Sequence, residues 1–294
     1  MTPRPRSRLL VPLLALSALA AQPASAQRLL DWPIRVRPGA EATISGAAGA
    51  FWNPATIGSA STVEALIMDI DGFRESGLGG LALAASARID EQLTIAAAVS
   101  HLGVDGIPRT ETSPADELGE IQISEDVITV SAARRLGRPL SLGVSVQYAR
   151  TNEAAGSRSE SGLGAGIAWT PELRFQPTVG LAALGRAGAT EWLAGAELRE
   201  LYRPIEALRI GASYGLSGGA SRPGLTHRAA FEAEWDRGLA AAAGFDGEAG
   251  ATGTTWNPVL AASLRLGRYA LGVLREQIGN GFGAAHYYRL EVRF

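Results

Sequence analysis

The sequence has no cysteine in 294 residues. That absence removes disulfide frameworks, thiolate metal sites and cysteine nucleophiles together. It has no lysine either, so every basic side chain is an arginine. The formal charge is −2, and no basic tract follows the first few residues; a chain of this kind has no electrostatic footprint for nucleic acid. Long apolar runs are also missing beyond residue 26, which excludes a membrane-spanning helix in that region. The last absence says nothing of transmembrane strands, because a strand shows only alternate residues to lipid and its signal is weak per segment.

What is present begins with an export signal. Arg4, Arg6 and Arg8 precede an apolar run from Leu9 to Ala21, and Ala24-Ser25-Ala26 offers the small-x-small pattern cut by a signal peptidase. The run is shorter than the ~20 residues of a spanning helix, so a mature chain beginning at Gln27 is expected. Loss of the three arginines takes its charge to about −5.

From about residue 60 the chain reads as short alternating segments broken by Gly, Pro, Asn, Asp and Ser, the grammar of strands and turns. About fourteen strands are predicted, near 63–71, 78–89, 92–101, 125–134, 140–150, 161–170, 174–184, 190–199, 206–216, 226–236, 238–245, 257–267, 269–276 and 285–294. Leu142, Val144, Val146 and Tyr148 share one face and Gly143, Ser145 and Gln147 the other. Phe231, Ala233 and Trp235 alternate with Glu232, Glu234 and Asp236 in the same way. Alternation alone fits a soluble β-sandwich or small barrel with its apolar face inward, or a membrane barrel with that face toward lipid. A secreted soluble β-sandwich or barrel with a binding surface is therefore the contrasting expectation.

Three features favour the membrane barrel. The predicted connections alternate between short ones, such as Asp90-Glu91 and Arg268, and long polar ones, such as 102–124 and 246–256, as outer-membrane barrels require. Only the stretch after Arg199, through Tyr202 and Pro204, blurs the alternation. The final residues Tyr288, Leu290, Val292 and Phe294 resemble the carboxy-terminal β-signal by which the barrel-assembly machinery recognises its substrates. Tyr148, Trp169, Trp235, Tyr269, Tyr287 and Tyr288 fall near strand ends, where aromatic girdles sit. The expected fold is an all-β, up-and-down antiparallel transmembrane barrel.

Residues 27–60 do not fit the strand series. They hold a run of small residues, Ile44 to Ala50, followed by Phe51-Trp52-Asn53-Pro54-Ala55. A small-residue stretch leading to an aromatic pair and Asn-Pro-Ala just before the first strand resembles the amino-terminal hatch of the FadL and PorV superfamily. Those are outer-membrane barrels of the long-chain fatty-acid transporter type and related type IX secretion proteins. The resemblance implies a signal peptide at 1–26, a hatch or plug at 27–60 and a barrel at 61–294. It implies that Phe51 to Ala55 are hatch residues. It also implies a role in passing hydrophobic small molecules across the outer membrane, or in docking a secretion-system protein there, with outer-membrane lipid as the surrounding partner. Independently of family, Pro54 fixes φ and keeps Asn53 out of helix, and Asn53 can turn the backbone locally.

Chemistry is not evident. His101, His227 and His286 are far apart with no ligand spacing, and no Gly-x-Ser-x-Gly elbow occurs. Neither an enzyme nor a bound cofactor or metal is expected. The charged residues Glu197, Arg199, Arg228, Glu232, Glu234, Arg265, Arg289, Glu291 and Arg293 fall on the expected lumen face with mixed sign, which suits internal salt bridges. Ala82, Ala84, Ala96 and Ala98 make another part of the lumen small and apolar.

Overall fold

A computed structural model describes residues 34–58, 62–72, 77–108, 120–153, 156–186, 189–219, 224–250, 253–277 and 283–294. The expected signal peptide at 1–26 and the expected mature start at Gln27 lie outside them. Fourteen strands form one closed antiparallel barrel: β1 Val63–Gly72, β2 Leu78–Arg88, β3 Leu93–Pro108, β4 Glu120–Arg135, β5 Leu140–Glu153, β6 Gly156–Trp169, β7 Pro177–Arg186, β8 Ala189–Ile205, β9 Leu208–Gly219, β10 Thr226–Trp235, β11 Leu239–Gly250, β12 Gly253–Leu266, β13 Tyr269–Gln277 and β14 Ala284–Arg293. Each strand pairs with its sequence neighbour, and β1 closes on β14 with Ile67 opposite Leu290. Closure satisfies every ladder and leaves no edge, the condition for a sheet to cross a bilayer.

The two faces sort as the alternation requires. Val144 and Val146 of β5 stand outward, 61% and 58% exposed, while Ser145 and Gln147 between them are buried in the lumen. Val130, Leu163, Leu181, Leu260 and Leu271 continue the outward apolar band. Such a surface is too large and continuous for water, and it matches the lipid-facing band of a membrane barrel. A soluble sandwich would bury this face instead.

Several strands run further than the residue pattern suggested, mostly toward the long connections. β4 begins at Glu120 rather than near 125, and β3 continues to Pro108 through a register shift between Val104 and Ile107. Pairing persists past the apolar stretch because backbone bonds do not need apolar side chains. β8 runs to Ile205 with register shifts at Leu198/Tyr202 and Tyr202/Ile205. Bulges absorb the extra residues and accommodate Pro204, which has no N–H to donate. The connection that blurred the alternation therefore reduces to the turn at Glu206 and Ala207, and all described short turns lie at one end. β7 starts at Pro177, not 174, because Leu173 to Gln176 form a turn with Gln176 at φ 44°.

Inside the barrel, residues 34–57 fold into three 3-10 turns: Glu41–Thr43, Ala47–Phe51 and Pro54–Thr56. Gly46 adopts φ 77° between the first two, a conformation that favours glycine. Pro54 occupies the first position of the third turn, where its missing N–H costs nothing. Asn53 precedes it in extended conformation and caps it by accepting from the Ala55 amide at 3.0 Å. The segment fills the middle of the lumen, so the core of this protein lies between hatch and wall. Ile34, Val36, Ile44, Ala47 and Ile57 pack there against Met68, Ile70, Ala84, Ala98, Val259 and Leu274. Each buried aliphatic side chain contributes roughly 1.5–3 kcal/mol.

Candidate functional site

Beyond its apolar packing, the hatch meets the wall in two further ways. On β5, β6 and β7 the contact is steric. A Cβ at Gly143 would lie 2.2 Å from the Pro54 carbonyl carbon, one at Gly166 would lie 2.0 Å from Asn53 Oδ1, and one at Gly180 would lie 1.9 Å from the Ala42 carbonyl oxygen. Three strand glycines thus form the seat of the Asn53-Pro54 turn. Asn53, fully buried, donates through Nδ2 to the Ala42 carbonyl at 2.8 Å and to the Ile167 carbonyl of β6 at 3.3 Å. Its amide therefore ties the first 3-10 turn, the third turn and the wall together. Pro54 and Ala55 are buried beside it. Phe51 and Trp52 are half-buried: Phe51 packs on the main apolar cluster, and Trp52 touches both that cluster and the smaller group of Ala42, Ala182 and Leu193.

On β8 to β14, Gly195, Gly215 and Gly244 also admit Ala40 and Pro38 closely and Val259 and Leu274 add apolar packing, but here the contact is ionic as well. Arg35 lies between Asp246 of β11 and Glu276 of β13, 3.1 Å from the latter. Glu41 meets Arg228 of β10 at 2.8 Å, and Arg228 also faces Asp246 at 3.7 Å. Tyr287 of β14 donates its hydroxyl to Glu276 at 3.2 Å. Burial opposes the charge on Arg35, yet Glu276, Asp246 and Glu41 outweigh it and hold the guanidinium above its ordinary range. Arg37 makes a bidentate pair with Glu197 of β8, at 2.9 and 2.5 Å; there too burial is outweighed, chiefly by Glu197, and the arginine stays charged. Arg289 of β14 donates to the Val36 carbonyl.

All nine charged residues assigned to the lumen from alternation face inward. Eight of them, Glu197, Arg199, Glu232, Glu234, Arg265, Arg289, Glu291 and Arg293, line one cavity of about 900 Å³ between the hatch and the short-turn end. The ninth, Arg228, sits on the opposite side of the hatch with Arg35 and Asp246. Arg35, Arg37 and Glu41, which complete the ion network, were missed because the hatch has no periodicity from which to read a buried face. The wall glycines were missed too, although an inward glycine in a strand marks a place where another backbone comes close.

Of the terminal residues, Tyr288 is exposed on the outer wall, as is Phe294, whose amide bonds back to the Val63 carbonyl at 2.9 Å. Leu290 and Val292 share that outer face, with Ile67 and Ala65 opposite. Arg268 stacks over Tyr269 and Phe294, 5.1 and 5.4 Å from the ring centroids. Tyr287 does not join the outer girdle: adjacent to Tyr288, it points to the other face and is buried. His101 pairs with Asp126 at 2.7 Å and His227 with the Tyr214 hydroxyl at 2.7 Å. Among the described residues no group of three or more His, Asp or Glu could hold a metal ion.

No protein-family model and no curated protein matches the sequence. Solved structures do. A Pseudomonas aeruginosa FadL homologue is similar at 14% identity over 86% of this chain and 95% of its own, with a TM-score of 0.55. The Ralstonia pickettii toluene transporter TbuX gives 13% identity, 85% and 94% coverage and a TM-score of 0.54. The Pseudomonas putida toluene transporter TodX gives 10%, 86%, 94% and 0.54. The fold is that of a fourteen-stranded barrel resembling FadL-type outer-membrane transporters. At these identities the likeness is one of fold alone.

Proposed function

We propose that this protein is a hatch-plugged outer-membrane channel for hydrophobic small molecules, exported by the leader at residues 1–26. The observation that carries the proposal is the character of the lumen along β1 to β4. Met68, Ile70, Ala82, Ala84, Ala98 and Leu102 are buried there against the apolar face of the hatch. General porins have polar, water-filled interiors; a greasy wall covered by a removable segment suits a cargo that avoids water. The toluene transporters of similar fold support this choice of cargo class. A PorV-like docking role would rest on the connection near 102–124, whose central part, 109–119, lies outside the described residues. No observation favours it over passage of a small molecule, and no catalytic step is part of the proposal.

The test is uptake of radiolabelled toluene and oleate by cells carrying or lacking the barrel. Uptake of at least one is expected to depend on it, and Trp52→Ala is expected to change the rate several-fold while the barrel keeps its heat-dependent gel migration. Uptake equal with and without the wild-type barrel would sink the proposal.

A further inference from the structure

The cavity at the short-turn end is polar where the wall of β1 to β4 is greasy, and a hydrophobic cargo gives no reason for its charge. Eight arginines line it against five glutamates. Glu64, buried behind Arg293 at 3.5 Å, adds a sixth carboxylate, and cations remain in excess within a chain whose net charge is negative.

The excess is localised. Glu197 is shared by Arg37 and by Arg199, whose Nε lies at 3.2 Å, so one carboxylate serves two guanidinium groups. Arg209 pairs with Glu234 at 3.1 Å, but its Nε is buried without an acceptor. Arg135 of β4 and Arg265 of β12 point inward from facing parts of the wall, and among the described residues neither has an ion-pair partner. Both are exposed to the cavity; a guanidinium carries five N–H donors in a planar fork that fits a carboxylate or phosphate, and Arg293 Nε, like that of Arg209, is buried without an acceptor. The floor of the cavity, made by the hatch, adds the hydroxyl residues Thr43, Ser45 and Thr56. At about 900 Å³ the space is within the range of small-molecule sites.

We infer that this vestibule binds an oxyanion, a carboxylate or phosphate group, on the arginines of its lining, with Arg135, Arg265 and Arg199 as the donors least matched by carboxylates. The anion completes donors that the shared glutamate cannot satisfy. Glu232, which lines the same cavity, opposes it and sets a ceiling on affinity. This site does not depend on the proposed passage of hydrophobic molecules. If the group belongs to an amphiphile, the vestibule receives its head; if it is free, the vestibule holds a small polar anion at the periplasmic mouth.

The experiment is calorimetric titration of the full mature chain in non-ionic detergent with benzoate, inorganic phosphate and benzyl alcohol. At least one anion is expected to bind and the isosteric alcohol is not. Preference for benzoate assigns the site to an organic head group, and binding of phosphate alone assigns it to a free anion; both uphold the inference. The Arg135→Gln, Arg265→Gln double variant breaks no ion pair and is expected to weaken binding about tenfold or more. Glu232→Gln is expected to strengthen it several-fold, and it decides the matter should the double variant fail to fold. No heat with either anion, benzyl alcohol binding as well as benzoate, or affinities unchanged in the variants would overturn the inference. An absence of toluene or oleate uptake would leave this titration unaffected.

Discussion

The two sides of the lumen hold the same short hatch by different means, one by close approach alone and the other with ion pairs added. Along β5 to β7 glycines at 143, 166 and 180 leave room for hatch backbone against the wall, close enough for the Asn53 side-chain amide to bond the Ile167 carbonyl. Along β8 to β14 the wall reaches across with long charged side chains, and Arg35, Arg37 and Glu41 meet them partway. A steric seat fixes position to a fraction of an ångström but has no reach. An ionic contact tolerates movement, and its partners can be exchanged. The difference suggests a fixed end at Asn53-Pro54 and a strap at residues 35–41 that is held through Arg35, Arg37 and Glu41 as well as by the seating of Pro38 and Ala40 against Gly195, Gly215 and Gly244.

Three substitutions test that division. The largest effect is expected from Gly180→Leu, whose side chain would occupy the space of the Ala42 carbonyl. The hatch cannot then seat, so protease sensitivity of residues 34–57 should appear and single-channel conductance in planar bilayers should rise from closed to open. A closed, protease-resistant Gly180→Leu barrel would show that the seat is not steric. Arg35→Ala should come next. It leaves Glu276 buried without its cation and Asp246 with Arg228 alone, and removal of one partner from a buried network costs about 3–5 kcal/mol, read as a lower urea midpoint for loss of hatch protection. If the strap alone is affected, Asn53-Pro54 should remain protected in hydrogen exchange. Arg138→Ala should do least. Its pair with Glu172 spans 3.3 Å at the rim with both side chains largely exposed, and such pairs contribute about 0–1 kcal/mol. An urea midpoint displaced as far as that of Arg35→Ala would remove the distinction between buried and rim charges.

Much of the wall was legible because its signal is periodic. Leu142 to Tyr148 announces an outward apolar face at every second residue, and the short turns fall between such stretches. The turn at Asn53-Pro54 was legible for another reason: proline limits its own φ and its neighbour's conformation wherever it occurs. What escaped was whatever depends on two distant segments meeting. Gly166 resembles any other strand glycine until Asn53 is placed against it, and Arg35 resembles a solvated charge until Asp246 and Glu276 close around it. Strand ends escaped as well, since β4 and β8 continue on backbone pairing, and in β8 on bulges, after the apolar alternation has faded.

The seam between β1 and β14 stands apart from every other pairing in the barrel. Thirteen ladders join strands adjacent in the chain, and this one joins the first to the last. Its loop-closure entropy is the greatest in the molecule, since that cost grows with the length of chain enclosed, and pairing of such low locality is slow to form. The hatch precedes β1 and touches wall on every side, including β14 through the Arg289 bond to the Val36 carbonyl. A ring that shuts last around an object already attached to its opening strand behaves like a mould around a mandrel: the hatch gathers the two free margins, and once they zip together the chain has no way to leave except through the mouth it has just completed.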